Sequence, residues 1–149
     1  MAQQALTILL EQLQTQEQRA TVELTQARHQ LLLFQQQLRQ LEDYRRSYME
    51  QSLARGASGV TASGFHQYQA FIQTIEKAES EQQKSVQQLQ ANVAHKRQQW
   101  QAIQNRRKAI EQLIERQNQQ LQKKAQRAEQ KMSDEFAMMS FYRRQQQSV

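Results

Sequence analysis

The chain has no cysteine, no proline and only three glycines among its 149 residues. Without cysteine there is no disulfide, no thiol nucleophile and no thiolate metal ligand, and a reducing compartment is permitted. Without proline, nothing outside the glycine-bearing stretch is built to break a helix. Aromatic residues make up only 7% of the chain, and no run approaches the roughly 18 apolar residues of a membrane span. The start, Met1-Ala2-Gln3-Gln4, lacks both a basic segment and a long apolar one, so we expect a cytoplasmic protein without a secretory signal. The histidines, His29, His66 and His95, stand far apart, Gly56-Ala57-Ser58-Gly59 has no Gly-Lys-Ser/Thr after it, and no nucleophile and base are visible together. The expectation is a protein that is not an enzyme and holds no metal or cofactor.

All three glycines fall inside Arg55-Gly56-Ala57-Ser58-Gly59-Val60-Thr61-Ala62-Ser63-Gly64. Gly56 suits the C′ position of a first helix, with Arg55 in its last turn, and Ser63 suits the N-cap of a second. The rest is helix-forming. Although 35 glutamines alone would suit a disordered chain, the apolar residues are spaced too regularly for that. In the first arm, d positions fall on Leu6, Leu13, Ala20, Ala27, Phe34, Leu41 and Tyr48, and a positions on Leu10, Glu17, Leu24, Leu31, Leu38, Arg45 and Ser52. In the second arm, a runs from Phe65 through Ile72, Glu79, Val86, Val93, Trp100, Arg107 and Ile114 to Leu121, with d four residues before each next a. Of these 32 positions 23 are apolar, about twice what the overall apolar content would place there, so the repeat is that of a left-handed coiled coil.

The predicted fold is therefore all-α: an antiparallel coiled-coil hairpin in one domain, with helix 1 over about 3–54, a loop over 55–64, helix 2 over about 65–142 and a frayed tail at 143–149. Pairing residues whose numbers add to 120 satisfies every layer, as in Leu10–Ile110, Ala20–Trp100, Ala27–Val93 and Phe34–Val86, and sets the one tryptophan against an alanine. Charged intrusions are correlated in the same register: Glu17 and Arg107 lie one layer apart, and so do Arg45 and Glu79, as two register pins. Beyond about Gln119 the second helix has no partner and overhangs. One short loop lets the arms meet within one molecule, so we expect a monomer when free.

The net charge of +6 is unevenly placed. Residues 1–54 carry 5 basic and 6 acidic groups, 65–118 carry 8 and 5, and 119–149 carry 6 and 3. A basic second arm invites an acidic partner. A nucleic-acid-binding coiled-coil arm is one alternative, resting on Arg106-Arg107-Lys108 with Trp100 nearby. A self-associating structural coiled coil is another. Against the first, Trp100 falls on a core position and basic residues on a long helix form its solvated face, so nucleic acid is not the expected partner. The tail carries Met132, Phe136, Met139, Phe141 and Tyr142 beside Arg143 and Arg144, but Asp134 and Glu135 interrupt its basic face, which argues against direct membrane insertion.

Near the hairpin tip, Gln37, Tyr44, Phe71 and Ala78 all occupy g and form one flank, adjoining Leu41, Tyr48, Ile75 and Gln82 at the seam. Such a flank either caps a thin core or binds a partner while contributing little to folding. At these same residues the chain resembles the flagellar FliJ family, a small coiled-coil component of the flagellar type III export apparatus. The resemblance is carried by Leu41-Glu42-Asp43-Tyr44 with Tyr48, the Gly/Ala/Ser loop, the stretch from Tyr68-Gln69-Ala70-Phe71 to Ala78, and Lys131-Met132-Ser133-Asp134-Glu135-Phe136-Ala137.

The resemblance implies a non-catalytic, stalk-like protein whose terminal end enters the ring of the hexameric flagellar export ATPase and promotes its assembly and activity. The other end would meet the membrane export gate protein, and export chaperones are further implied partners. Such a protein is cytoplasmic and peripherally associated with the inner membrane at the flagellar base. Carried over, the gate-binding face is Gln37, Leu41, Tyr44, Tyr48, Phe71, Ile75, Ala78 and Gln82. The ring-facing terminal end is then Arg116, Lys123, Lys124, Arg127, Lys131, Met132 and Phe136.

Overall fold

A computed structural model of the protein describes residues 2–57, 59 and 61–147. Two helices account for nearly all of them, α1 over Ala2–Gly56 and α2 over Ala62–Gln147, and no strand occurs among the described residues. Gln, Ala, Arg and Glu recur in both segments, with Leu added chiefly in α1 and Lys in α2, and all lose little rotamer freedom in a helix, so with no proline the backbone has no reason to leave it. The helices pack on each other as an antiparallel hairpin, and the expected all-α fold is the one observed.

The turn is shorter than the glycine-rich stretch predicts. Helical bonding persists through the N–H of Ala57, which reaches the Leu53 carbonyl at 3.2 Å, and Gly56 is the last helical residue. The residue that uses glycine's freedom is Gly59, at φ 95°, whose N–H returns to the Gly56 carbonyl at 3.3 Å. Thr61, not Ser63, caps α2: its Oγ1 accepts the backbone N–H of Gly64 at 3.3 Å, and its carbonyl takes the first helical bond, from Phe65, at 3.1 Å. Ser63 lies inside the first turn, 3.2 Å from the Thr61 hydroxyl. At the other end α2 runs to Gln147, further than the predicted 142, with Arg144 in its last turn. The expectations for loop residues Ser58 and Val60 and for tail residues Ser148 and Val149 lie outside the described residues.

The chain divides into two compact units, one of Met1–Thr15 with Ile103–Val149 and one of Gln16–Ala102. In the second, the buried residues are Ala20, Leu24 and Ala27 on α1 and Ile75, Glu79 and Val86 on α2, all of which are heptad a or d positions. Its cross-helix hydrogen bonds join Arg45 with Glu79, Gln37 and Phe34 with Gln82, Glu23 with Lys96 and Thr21 with Trp100, so partner numbers add to between 116 and 124, around the predicted 120. In the first unit Leu13 is buried, and Gln3 Nε2 donates to Asn118 Oδ1 at 2.6 Å, a pair whose numbers add to 121.

Two helices cannot enclose a layer on all sides. No large side chain is fully buried among the described residues, and even Leu24 and Ala27 keep 5% of their surface exposed. Each core residue therefore contributes somewhat less than the roughly 1.5–3 kcal/mol of a fully buried aliphatic side chain, and stability is spread along the seam. Among the described residues no helix is long and apolar enough to cross a membrane.

Candidate functional site

Next to the turn, α1 and α2 bring four aromatic rings together. Tyr44, Tyr48, Tyr68 and Phe71 occupy seam or flank positions of the heptad, and antiparallel pairing sets the first two opposite the last two. Phe71 lies at the centre: its ring is 4.2 Å from Tyr48 at a tilt of 46° and meets Tyr44 edge-on, at 5.8 Å and 68°. Tyr48 also stacks on Tyr68, at 5.7 Å and 13°. The 5.7 and 5.8 Å spacings are those at which aromatic quadrupoles attract, and the Tyr48–Phe71 contact is closer still, so the rings restrict one another. They are not hidden by doing so. Tyr44 stays 56% exposed, and Tyr48, Tyr68 and Phe71 are half-buried.

One turn further from the loop the surface becomes polar. Gln82 donates through Nε2 to the Phe34 carbonyl and to Gln37 Oε1, both at 3.1 Å, and a shallow open hollow is lined by Gln37, Gln40, Leu41, Tyr44 and Gln82. The result is an aromatic ledge beside a fixed amide network. Among the described residues no group of three His, Asp or Glu side chains is placed to hold a metal ion.

Between these layers, Arg45 Nε donates to Glu79 Oε1 at 2.7 Å. Glu79 is the one charged residue that is buried, 7% exposed, among the described residues, and Arg45 is half-buried. A carboxylate so placed demands a cationic partner at one height along the opposing helix, which ties the flank to a single register. Arg107, the other charged residue at an a position of α2, donates through Nη1 to Glu111 in the next turn of its own helix at 2.9 Å.

Of the eight residues assigned to the flank, Gln37 and Tyr44 are exposed, Leu41, Tyr48, Phe71, Ala78 and Gln82 are half-buried, and Ile75 is 5% exposed and belongs to the core. Tyr68 and Gln40 were missed. The predicted register sets Tyr48 against Ile72 and Tyr68 one turn further toward the loop, so the heptad placed Tyr68 on the seam without pairing it with Tyr48. Gln40, a position off the seam, has no such placement.

The second candidate surface is the C-terminal part of α2. From Asn118 to Met139 every residue is exposed, including the predicted Lys123, Lys124, Arg127, Lys131, Met132 and Phe136, and Arg116 just before them is exposed too. Met132 is 71%, Phe136 74%, Met138 69% and Met139 65% exposed, far beyond what a soluble helix needs to display. Where this stretch begins, the first residues of α1 and Gln117, Gln120, Leu121 and Lys124 line a small open notch, and Gln117 Oε1 is buried there without a hydrogen-bond partner.

Comparison with known proteins agrees on one family. The family described as flagellar FliJ protein matches residues 2–146. The flagellar FliJ protein of Escherichia coli strain K12 is 31% identical over 110 residues, which cover 74% of this chain and 75% of that protein. No solved structure matches.

Proposed function

From the premise that this chain belongs to the flagellar FliJ protein family, we propose that it is a non-catalytic coupling component of the flagellar type III export apparatus, placed in the cytoplasm against the inner membrane at the flagellar base. The aromatic ledge of Tyr44, Tyr48, Tyr68 and Phe71, with the Gln37–Gln82 network, docks on the membrane export gate protein. The exposed stretch of α2 after Asn118 enters the ring of the hexameric export ATPase and promotes its assembly and activity. Export chaperones are further partners that family membership suggests.

The observation that carries this reading is the run from Asn118 to Met139, in which no residue is even half-buried although Leu121, Met132, Phe136, Met138 and Met139 lie along it. A helix that displays such side chains, with Lys123, Lys124, Arg127 and Lys131 among them, supplies both apolar and cationic contacts to several surrounding surfaces at once. A ring of repeated subunits offers such a helix several surfaces at once. Deletion of residues 119–149 is expected to leave the helicity of the remaining hairpin intact by circular dichroism, to leave gate binding in place and to abolish stimulation of ATP hydrolysis by the ring-forming ATPase. Full stimulation by the truncated chain would refute the assignment of this stretch to the ring.

A further inference from the structure

Within Gln16–Ala102, α1 carries a second stripe that the hairpin does not use. The seam of this helix is built on Ala20, Leu24, Ala27, Leu31, Phe34 and Leu38. At about 100° per residue, Val22, Thr25, His29, Leu32, Leu33 and Gln36 fall on the opposite side, again spaced by threes and fours, with no formal carboxylate or guanidinium among them. Val22 is 56%, Leu32 50% and Leu33 43% exposed. Thr25 adds to the apolar character, because its hydroxyl donates to the Thr21 carbonyl at 2.8 Å and leaves its methyl as the free group.

The edges of the stripe are basic. Arg19 lies about a quarter turn to one side and Arg28 and Arg39 about a quarter turn to the other. All three are exposed, and among the described residues none of them makes an ion pair. Of the acidic residues near them, Glu23 receives Lys96 at 3.2 Å and Glu42 lies on the seam side, while Asp43, one turn after Arg39, stands exposed just beyond the end of the stripe and makes no ion pair among the described residues.

We propose that this face of α1, over residues 19–40, docks an amphipathic helix whose aliphatic stripe is edged by carboxylates. The spacing selects a helix, since Val22, Thr25, His29, Leu32 or Leu33, and Gln36 recur by threes and fours over about four turns, which matches the a and d positions of a third coiled-coil strand and not the two-residue repeat of an extended peptide. The arginines select acidic flanks, because three uncommitted guanidiniums beside an apolar seam occupy the place of e and g residues and find their partners across it. The proposal adds a third surface to the two used above and does not depend on either.

The probe is a fluorescent 21-residue peptide with leucine at a and d and glutamate at e and g, compared with a twin carrying lysine at e and g and titrated against the full chain by anisotropy. The glutamate peptide is expected to bind and the lysine peptide not. Replacing Leu32→Gln and Leu33→Gln together should weaken binding at least about tenfold. Arg28→Glu with Arg39→Glu should invert the preference, so that the lysine peptide binds the tighter by about tenfold. These are exposed positions, and unchanged circular dichroism keeps the comparison fair. Equal binding of the two peptides, indifference to the Leu32 and Leu33 changes, or loss of binding on Phe71→Ala would overturn the proposal. So would two competing occupants: Leu33-dependent flotation with phosphatidylglycerol vesicles in place of peptide binding, or Leu33-dependent doubling of mass with concentration. Because neither gate nor ATPase enters the assay, its failure would leave the proposed export function standing.

Discussion

Phe71 and Phe136 are the same residue on the same helix in opposite circumstances. Phe71 has ring partners at 4.2 and 5.8 Å and is half-buried, whereas Phe136 is 74% exposed, in a run with no half-buried neighbour. The first belongs to a surface assembled before any partner arrives, since its rotamer is already restricted by Tyr44 and Tyr48. The second belongs to a surface with no half-buried residue, so its side-chain rotamers are less restricted. A partner of the ledge meets a fixed shape and gives up little side-chain entropy, while a partner of the C-terminal stretch meets adaptable methionines and must offset the cost of ordering them, of order 0.5–1.5 kcal/mol per flexible side chain. Rigid recognition suits one specific contact. Adaptable recognition suits repeated, non-identical ones.

If the ledge is preorganised, damage to its supports should be felt in folding. The largest effect is expected from Arg45→Ala, which strands the buried Glu79 carboxylate and should lower stability by about 3 kcal/mol in urea denaturation. Glu79→Ala should cost less, because Arg45 is freer to turn toward water, and the double variant should be more stable than the two separate losses predict. Strict additivity would mean that the pair does not set the register. Next, Phe71→Ala should cost about 2 kcal/mol, from two lost ring contacts and partial burial, together with loss of gate binding. That is more than a place beside the seam would by itself imply. The smallest effect belongs to Phe136→Ser, with thermal stability unchanged to within about 0.5 kcal/mol and stimulation of the ATPase reduced. A stability loss as large as that of Phe71→Ala would dissolve the contrast between the two surfaces.

The alignment of the helices was legible because the heptads interrupt themselves in matched places. A carboxylate at Glu79 and a guanidinium at Arg45, both at a positions, make sense in only one register, and the Arg45–Glu79, Gln37–Gln82 and Glu23–Lys96 contacts follow it. The flank was legible for the same reason, as were the residues that meet across it. The cap was not. Thr61 and Ser63 both carry a hydroxyl suited to the N-cap, and choosing between them depends on how many residues the turn needs, which φ at Gly59 decides. The d position of Ile75 placed it at the seam, where it is buried, and only the family resemblance carried it onto the binding face. The hydroxyl of Thr21 was invisible at this level, because whether a threonine bonds back along its helix or across to a neighbour is a matter of rotamer.

That threonine does both. Its hydroxyl donates to the Glu17 carbonyl at 2.8 Å and accepts the indole N–H of Trp100 at 3.0 Å. Trp100 is the single tryptophan of the chain, so all indole emission originates from one hydrogen-bonded, half-buried position on the seam. The molecule thus carries its own fluorophore at a junction between its helices, in a compact unit different from that of Met132, Met138 and Met139. A red shift of that emission would report the helices parting, and an unchanged spectrum during ATPase binding would report that the closed hairpin is what the ring receives.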